Sequence, residues 1–229
     1  MIADAVRTLR TPLLALHGEP GIGKTRLLQE LAERARGHGH RVYAACGADA
    51  LNHAPRVVVE PTVVVLDDLH LAPQDRVAEL LRRPPRGPLL VALGFRALSA
   101  PPAAALEAAQ RRGELIDLPL GSLAPEEAGQ LSEDPELYRL SGGNPFYLLA
   151  LADGRTKAIA ASVRAELDAL SEPARRLAFG AAVAGDPAEL DVAVAAAVLS
   201  DANALAALDE VVAAGLLRPA GPRRYRFRR

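Results

Sequence analysis

The sequence has 229 residues, half of them apolar and 24% of them charged, and its formal net charge is −1. This length allows one large domain, or a large domain with a small one, and the composition is that of an ordinary globular protein. The near-neutral balance excludes a protein that is steered as a whole toward nucleic acid or membranes, and the single cysteine, Cys46, excludes a framework of internal disulfides.

The first 120 residues alternate predicted strands with predicted helices. Short apolar runs rich in β-branched residues predict strands that are buried on both faces. Leucine and alanine at helical spacing, bounded by glycine or proline, predict the helices between them. The strands are predicted at residues 13–16, 41–46, 62–66, 89–95 and 114–118, and the helices at residues 1–10, 25–36, 74–83 and 103–112. The alternation indicates an α/β fold with a parallel sheet flanked by helices.

The chain after residue 120 is predicted to be mostly helical. Ser122 is interpreted as the cap of a helix whose first turn holds Glu126 and Glu127. The chain then continues with a Ser-Gly-Gly-Asn-Pro turn, three or four alanine-rich helices with a Gly-Asp-Pro break, and a hairpin with a Pro/Gly turn. These features occupy residues 141–145, 157–217, 185–187 and 216–227, and the hairpin turn is predicted at residues 219–222.

One motif carries most of the chemical information. Residues 18–25 match G-x-x-x-x-G-K-[ST] in full, between a predicted buried strand and a predicted helix. The glycines let successive backbone N–H groups turn toward a phosphate, and the start of the helix adds a positive dipole end. Lys24 is expected to bridge the β- and γ-phosphates, and the Thr25 hydroxyl to bind Mg²⁺. Only two of the 27 basic residues are lysines, which favours a specific need for a compact ammonium at position 24.

Charged side chains end the third and fourth predicted strands. Asp67 has the position of the carboxylate that a phosphate-binding loop needs near its metal, and we assign it to Mg²⁺, directly or through water. Asp68 is expected to orient or deprotonate an attacking water, although both acids could instead cap the next helix. Arg96 lies where ligands of doubly wound sheets bind, and it is either a sensor of the γ-phosphate or a surface arginine. His17 and His70 are interpreted as packing residues or as second neighbours of the site.

The expected nucleotide is ATP or ADP with Mg²⁺. Guanine specificity usually needs an N/T-K-x-D element, and neither lysine provides one. Lys24 belongs to the loop itself, and Lys157 has no aspartate at the required spacing. Adenine is therefore the default base.

These motifs together resemble a known family, the STAND-class ATPases. They form the AAA-like ATPase module of large LuxR-type bacterial transcriptional regulators. The similar segments are the P-loop at residues 17–28, the Walker B strand at 64–70, the entry to the helical lid at 118–128, the GxP element at 141–146 and the winged-helix segment at 157–229. The family's upstream Gly-Arg-Glu element, its helical repeats and its C-terminal helix-turn-helix are not found, so we expect a fragment or a minimal version.

The resemblance implies a domain order and a set of site residues. A P-loop domain is expected at residues 1–120, a helical lid with the GxP element at 121–155 and a winged-helix-like domain at 156–229. Asp68, Lys24 and Arg96 are the expected catalytic residues, and Thr25 and Asp67 the metal ligands. The expected nucleotide contacts are Gly18, Glu19, Pro20, Gly21, Ile22, Gly23, Lys24, Thr25, Arg26 and Pro145, whose ring is expected near the adenine.

The favoured function is a regulatory switch that binds ATP, hydrolyses it slowly and self-associates on ATP binding. The alternatives are a ring-forming motor or loader of the AAA type, a DNA-binding winged-helix module and a small-molecule kinase. The apolar runs are shorter than the ~18 residues of a membrane helix, and residues 1–4 lack the basic start of a signal peptide. We therefore expect a cytoplasmic protein with no membrane partner.

The arginine-rich end is predicted to be a wing that packs on its own domain. Six of the last twelve residues are arginines. Tyr225 and Phe227 alternate with Arg224, Arg226 and Arg228, as in a strand with one apolar and one exposed face. Residues 203–215 form the preceding helix, which contains two acids and no basic residue, so sequence-specific DNA binding is not expected.

Overall fold

The structure is a computed structural model, and it describes residues 2–9, 12–52, 55, 57–96, 98 and 100–228. Internal contacts divide the chain into two units, residues 1–121 and residues 122–229. The predicted subdivision of the second unit into a lid and a winged-helix-like domain remains a prediction.

The first unit is built on a parallel sheet, which in the described residues has five strands. The strands are β1 (Leu13–Gly18), β2 (Arg41–Cys46), β3 (Thr62–Asp67), β4 (Leu89–Phe95) and β5 (Leu115–Leu120). Their order in the sheet is β2-β3-β4-β1-β5, and all four pairings are parallel. The P-loop NTPase fold class predicted from the sequence is therefore confirmed.

Helices cover both faces of this sheet. They are α1 (Ile2–Thr8), α2 (Lys24–Gly37), α3 (Gln74–Arg82) and α4 (Ala100–Arg111). Alternate strand residues such as Leu14 and Val65 pack with α1 and α2, while their neighbours Leu13 and Leu66 pack with α3 and α4. Strands β1, β3 and β4 are buried because they lie inside the sheet, whereas β2 is an edge strand with exposed residues. Short 3₁₀ helices at Gly47–Asn52 and Leu69–Leu71 complete this part of the chain.

The topology brings the predicted site residues to one edge of the sheet. Parallel strands end on the same side, so Gly18 of β1, Asp67 of β3 and Phe95 of β4 all lie at the carboxyl edge. Strand β4 lies between β1 and β3. This edge is where open α/β sheets bind their ligands.

The second unit begins with four helices, α5 (Pro125–Ala128), α6 (Pro135–Ser141), α7 (Pro145–Ala152) and α8 (Thr156–Asp168). The interpretation of Ser122 as the cap of α5 is wrong. The chain is still extended at Ala124, and the helix begins only at Pro125. The Ala124 N–H instead donates to Glu127 Oε2 at 2.8 Å, so an acid of the first turn satisfies the helix start.

The remainder of the second unit has the winged-helix order of elements. It consists of α9 (Glu172–Ala184), β6 (Ala188–Glu189), α10 (Leu190–Ala196), α11 (Asp201–Ala213), β7 (Leu217–Gly221) and β8 (Arg224–Phe227). The three strands form an antiparallel sheet in the order β6-β8-β7. Half-buried Tyr225 and Phe227 pack against the leucine and alanine core of these helices, as the alternation predicted.

Two details of the hairpin differ from the predictions. Strand β7 continues to Gly221, so the turn lies at residues 222–223 and not at 219–222. Arg228 is not on the exposed face with Arg224 and Arg226; it is only 9% exposed. The cause is a contact with distant residues of the same unit, since the Arg228 guanidinium donates to the Tyr147 hydroxyl and to the Glu166 carboxylate.

No single helix in the described part of the chain is long and apolar enough to cross a membrane. One pair, Leu190–Ala196 with Asp201–Ala213, satisfies the length and composition criteria only in combination, and the two helices are bent by 110°.

Candidate functional site

The glycine-rich loop joins the end of β1 to the start of α2. At its start, Gly18 has φ +154°, and a Cβ there would lie 2.5 Å from the Leu120 carbonyl oxygen. At its end, Gly23 caps α2 in the left-handed region with φ 103°. A side chain is excluded by contact at the first position and is disfavoured by backbone conformation at the second. The loop geometry therefore depends on glycines that the motif requires.

Lys24 is folded back on the loop that precedes it. Its Nζ donates to the carbonyl oxygens of Gly18 at 2.9 Å and of Glu19 at 2.7 Å, and the residue is only 7% exposed. Burial, and after it the charge of Arg96, lowers the pKa of Lys24, while Asp67 and other nearby acids act in the opposite direction. A buried ammonium that hydrogen-bonds to neutral carbonyls can exchange them for the oxygens of an anion.

The predicted metal ligands lie in direct contact. The Thr25 hydroxyl donates to Asp67 Oδ2 at 2.6 Å, and Asp67 Oδ1 accepts from the Asp68 N–H at 2.8 Å. A hydroxyl and a carboxylate are the hard oxygen ligands that Mg²⁺ prefers, so the residues fit this ion. Asp67 is buried, with 7% exposure.

Gly94 provides the room for this carboxylate. It lies on β4, between the P-loop strand and the strand that ends in Asp67. A Cβ at Gly94 would lie 2.2 Å from Asp67 Oδ1 and 2.7 Å from Leu28 Cδ1. Gly94 is not among the residues predicted from the sequence, although a lone glycine inside a buried strand run is a signal of close approach.

Asp68 differs from Asp67 in backbone and exposure. It has φ 51° and ψ 38°, an uncommon conformation for a residue other than glycine, and its side chain is 45% exposed. Its Oδ1 lies 3.9 Å from Nδ1 of His70. This nitrogen is buried and has no hydrogen-bond partner among the described residues. Burial and then the charge of Arg96 lower the pKa of His70, which favours the neutral ring.

The other predicted site residues are spread over both units. Arg96 directly follows β4, and its charge acts on both Lys24 and His70, so it lies near the P-loop. Ile22 is buried in the loop, whereas Arg26 is exposed on α2. Pro145 belongs to the second unit, where it is the first residue of α7. The remaining predicted contacts, Glu19, Pro20 and Gly21, lie in the loop between β1 and α2.

The turn before α7 is tightly fixed within the second unit. The buried Asn144 side chain accepts from the N–H groups of Phe146 at 3.1 Å and of Tyr147 at 3.5 Å. The preceding Gly143 has φ +75°, and a Cβ there would lie 2.6 Å from the Leu123 carbonyl oxygen. The Gly-Asn-Pro sequence therefore has a structural role in capping α7.

A second polar cluster lies beside the P-loop strand. His17 Nε2 lies 3.0 Å from Asp117 Oδ1, and the His17 ring stacks on Phe95 with centroids 5.4 Å apart. These contacts identify His17 as a residue that packs at the carboxyl ends of β1, β4 and β5. They agree with its interpretation as a packing residue.

Most of the terminal arginines pair with acids of their own unit. Arg223 pairs with Asp191, Arg224 with Glu189 at 2.7 Å, Arg226 with Asp186 at 3.9 Å and Arg228 with Glu166. The positive charge of this segment is thus largely matched inside the second unit. That arrangement is unfavourable for a nucleic-acid interface, where the arginines would have to face phosphates.

Comparison with known proteins gives similarity in fold only. No protein-family model matches the sequence, and no curated protein matches it. The replication initiator DnaA bound to AMPPCP and single-stranded DNA is 15% identical, with a TM-score of 0.46 over 92% of this chain and 86% of that one. AMPPCP-bound DnaA from Aquifex aeolicus is 17% identical, with a TM-score of 0.44 over 92% and 85%. The FIGL-1 AAA domain in complex with ADP is 18% identical, with a TM-score of 0.32 over 60% and 52%.

Proposed function

We propose that the chain is a nucleotide-dependent switch, a STAND-type regulatory module that binds ATP or ADP with Mg²⁺ and hydrolyses ATP slowly. One observation carries the proposal: a complete P-loop ends β1, and its Thr25 hydroxyl lies 2.6 Å from the Asp67 carboxylate that ends β3. A loop that only made a tight turn would require neither the buried Lys24 nor a carboxylate against Thr25.

The loop residues have different roles in nucleotide binding. Backbone N–H groups of residues 18–25, apart from Pro20, hold the phosphates, and the start of α2 adds its dipole. Lys24 exchanges its two carbonyl contacts for phosphate oxygens. Arg26 supplies a further contact.

The residues near Asp67 would hold the metal and orient water. Thr25 and Asp67 are the Mg²⁺ ligands, and the ion, when bound, neutralises charge on the phosphates. Asp68, which is half-exposed, accepts a proton from the attacking water or orients it. Arg96 stabilises negative charge at the γ-phosphate.

A regulatory role is preferred over a motor because the second unit has the winged-helix order of elements. In a switch, the ATP-bound form self-associates as part of a bacterial transcriptional regulator. Size-exclusion chromatography with ATP distinguishes the two functions, since a stable hexamer favours the motor.

The test of nucleotide binding is the substitution Lys24→Ala. A charge-assisted hydrogen bond contributes about 1.5–3 kcal/mol, so the affinity for a fluorescent ATP analogue with Mg²⁺ should fall about tenfold to a hundredfold. Lys157→Ala is the matched control, because Lys157 is the other lysine of the chain and is exposed on α8.

The proposal fails if Lys24→Ala and Lys157→Ala bind the analogue as tightly as the parent chain. It also fails if the parent chain shows no saturable binding at millimolar concentrations of ATP and Mg²⁺.

A further inference from the structure

A cavity of about 950 Å³ lies in the first unit, away from the P-loop. It is lined in part by Pro12, Arg86 and Glu114, which come just before β1, β4 and β5 at the amino edge of the sheet. Strands of this length separate these residues from Gly18 and Asp67 by about 20 Å. The volume is within the range of about 300–1,000 Å³ that is usual for small-molecule sites.

The lining of this cavity is rich in arginine. Arg76, Arg82, Arg83 and Arg86 all contribute to it, and the last three form no ion pair in the described part of the chain. The cavity therefore carries positive charge that neighbouring acids leave unpaired. Several arginines elsewhere in the same unit do pair with acids: Arg7 with Asp4, Arg34 with Glu30, Arg41 with Glu60, Arg111 with Glu107 and Arg112 with Glu114.

The acids that line the cavity do not balance this charge. Glu114 already accepts from Arg112, with 2.7 Å between Oε2 and Nε. Glu79 is exposed on α3 and forms no ion pair with a described residue. One unpaired glutamate therefore lies among four arginines.

Two of the arginines are held by neutral groups. Arg76 donates from Nη1 to Asn52 Oδ1 at 2.6 Å and from Nη2 to the Leu51 carbonyl oxygen at 3.5 Å. The Arg86 carbonyl oxygen accepts from the Val58 N–H at 3.0 Å, which fixes the backbone at that position. Both guanidinium groups thus keep their charge available for a ligand.

The end of α3 accounts for only part of this cluster. A basic residue in the last turn of a helix interacts favourably with the helix dipole, and Arg82 has this position. Arg86 lies four residues beyond the last residue of α3, so the dipole does not explain it. Between Arg83 and Arg86 the chain has two prolines, whose fixed φ angles restrict the spacing of the two arginines.

We propose that this cavity binds an organic phosphate, with the phosphate group on Arg83 and Arg86 and an apolar body against Leu51 and Leu80. A guanidinium is a planar fork that donates to two phosphate oxygens at once, and two such groups match a dianion. Leu51 and Leu80 line the same cavity and supply the apolar contact. The site is separate from the proposed nucleotide site.

The first test titrates the full chain with naphthyl phosphate, whose ring fluorescence reports binding. The double variant Arg83→Met/Arg86→Met should raise the dissociation constant at least tenfold, because it removes two charge-assisted contacts. Arg111→Met is the matched control, since Arg111 is an exposed arginine of the same unit that does not line the cavity, and its affinity should equal that of the parent chain. Equal affinity in the double variant, or no saturable binding by the parent chain at millimolar probe, overturns the inference.

A single variant covers the case in which the double variant does not fold. Arg86→Gln should raise the dissociation constant at least threefold while keeping a cooperative melting transition. Glu79→Gln should lower it about twofold to fivefold, because it removes the negative charge that would repel the ligand. Unchanged affinity in both of these folded variants contradicts the proposed site.

The chemical class is tested with naphthoate, which has the same ring and a carboxylate with a single charge. It should bind more weakly than naphthyl phosphate, and equal or tighter binding would overturn the assignment to a phosphate.

The P-loop could also accept the phosphate of the probe, and Lys24→Ala distinguishes the two sites. This variant should bind naphthyl phosphate as tightly as the parent chain. Loss of probe binding in Lys24→Ala, with binding kept in Arg83→Met/Arg86→Met, would place the probe in the P-loop and overturn the inference. If instead ATP does not bind the parent chain but the probe still depends on the two arginines, the proposed nucleotide function fails and the phosphate site stands.

Discussion

Buried charged side chains have different kinds of partner in the two units. In the first unit, buried Lys24 donates to backbone carbonyls, and buried Asp67 accepts from a hydroxyl and a backbone N–H. In the second unit, buried Arg228 and Glu166 neutralise each other directly. In the first unit, the buried charged groups are hydrogen-bonded to neutral groups. In the second unit, the two buried charged groups form an ion pair.

This difference indicates which unit binds a charged ligand. A buried charge held by neutral groups is costly, and such groups are concentrated at functional sites. A charge that is already neutralised by its neighbour has little to gain from a further ion. We infer that the carboxyl edge of the first sheet is the candidate binding site and that the buried pair of the second unit has a structural role.

The largest effect on activity is expected from substitution of the adjacent acids Asp67 and Asp68. These substitutions test directly whether the first unit holds the binding site. Asp68→Asn should keep binding of ATP with Mg²⁺ but reduce phosphate release about a hundredfold or more, because proton transfer contributes factors of this size. Asp67→Asn should instead weaken the magnesium dependence of binding. Steady-state phosphate release and nucleotide titrations at several Mg²⁺ concentrations measure both effects.

The assignment of separate roles is wrong if neither substitution changes phosphate release in a chain that hydrolyses ATP measurably. The matched control is Asp75→Asn, at an exposed acid in the first turn of α3.

Gly94 in the first unit and Gly180 in the second unit both lack room for a Cβ, but only Gly94 lies against a predicted site residue. A Cβ at Gly94 would lie 2.2 Å from Asp67 Oδ1, and a Cβ at Gly180 would lie 2.2 Å from the Ala193 carbonyl oxygen, between α9 and α10. Both Gly→Ala changes should lower the free energy of unfolding by about 1–3 kcal/mol. Only Gly94→Ala should also weaken Mg²⁺-dependent nucleotide binding.

Denaturant unfolding and nucleotide titration separate these outcomes. Gly37→Ala is the control, because Gly37 has no atom within 4 Å of an added Cβ, and it should be neutral or slightly stabilising. Equal loss of nucleotide binding in Gly94→Ala and Gly180→Ala would remove the distinction between the two units.

Sequence periodicity predicted the fold well because most elements are defined by local patterns. The apolar strand runs and the Gly-Pro boundaries of the helices do not depend on distant residues, and the P-loop is contiguous. Contacts between distant residues were not predictable in the same way. Gly94 is required by Asp67, 27 positions earlier in the chain, and Arg228 by Glu166, 62 positions earlier. The lone glycine in β4 signals a close approach, but local sequence does not identify Asp67 as its partner. The alternation of β8 likewise does not reveal that Glu166 pairs with Arg228.

The smallest effect is expected in DNA binding, where the arginine-rich end would be the interface. The exposed arginines of the hairpin face acids of their own unit, including Arg223 with Asp191 and Arg224 with Glu189. Such exposed pairs are individually weak, but binding to phosphates would still have to replace them. Helix α11, which precedes the hairpin, has Asp201 in its first turn and no basic residue, so acids and not arginines or lysines would approach the phosphates in a major groove. A mobility-shift titration of the 229-residue chain at about 150 mM salt should therefore show only weak binding without sequence preference. Selective binding with a sub-micromolar dissociation constant would instead make the second unit a ligand-binding region in its own right, and it would favour the DNA-binding function over the switch.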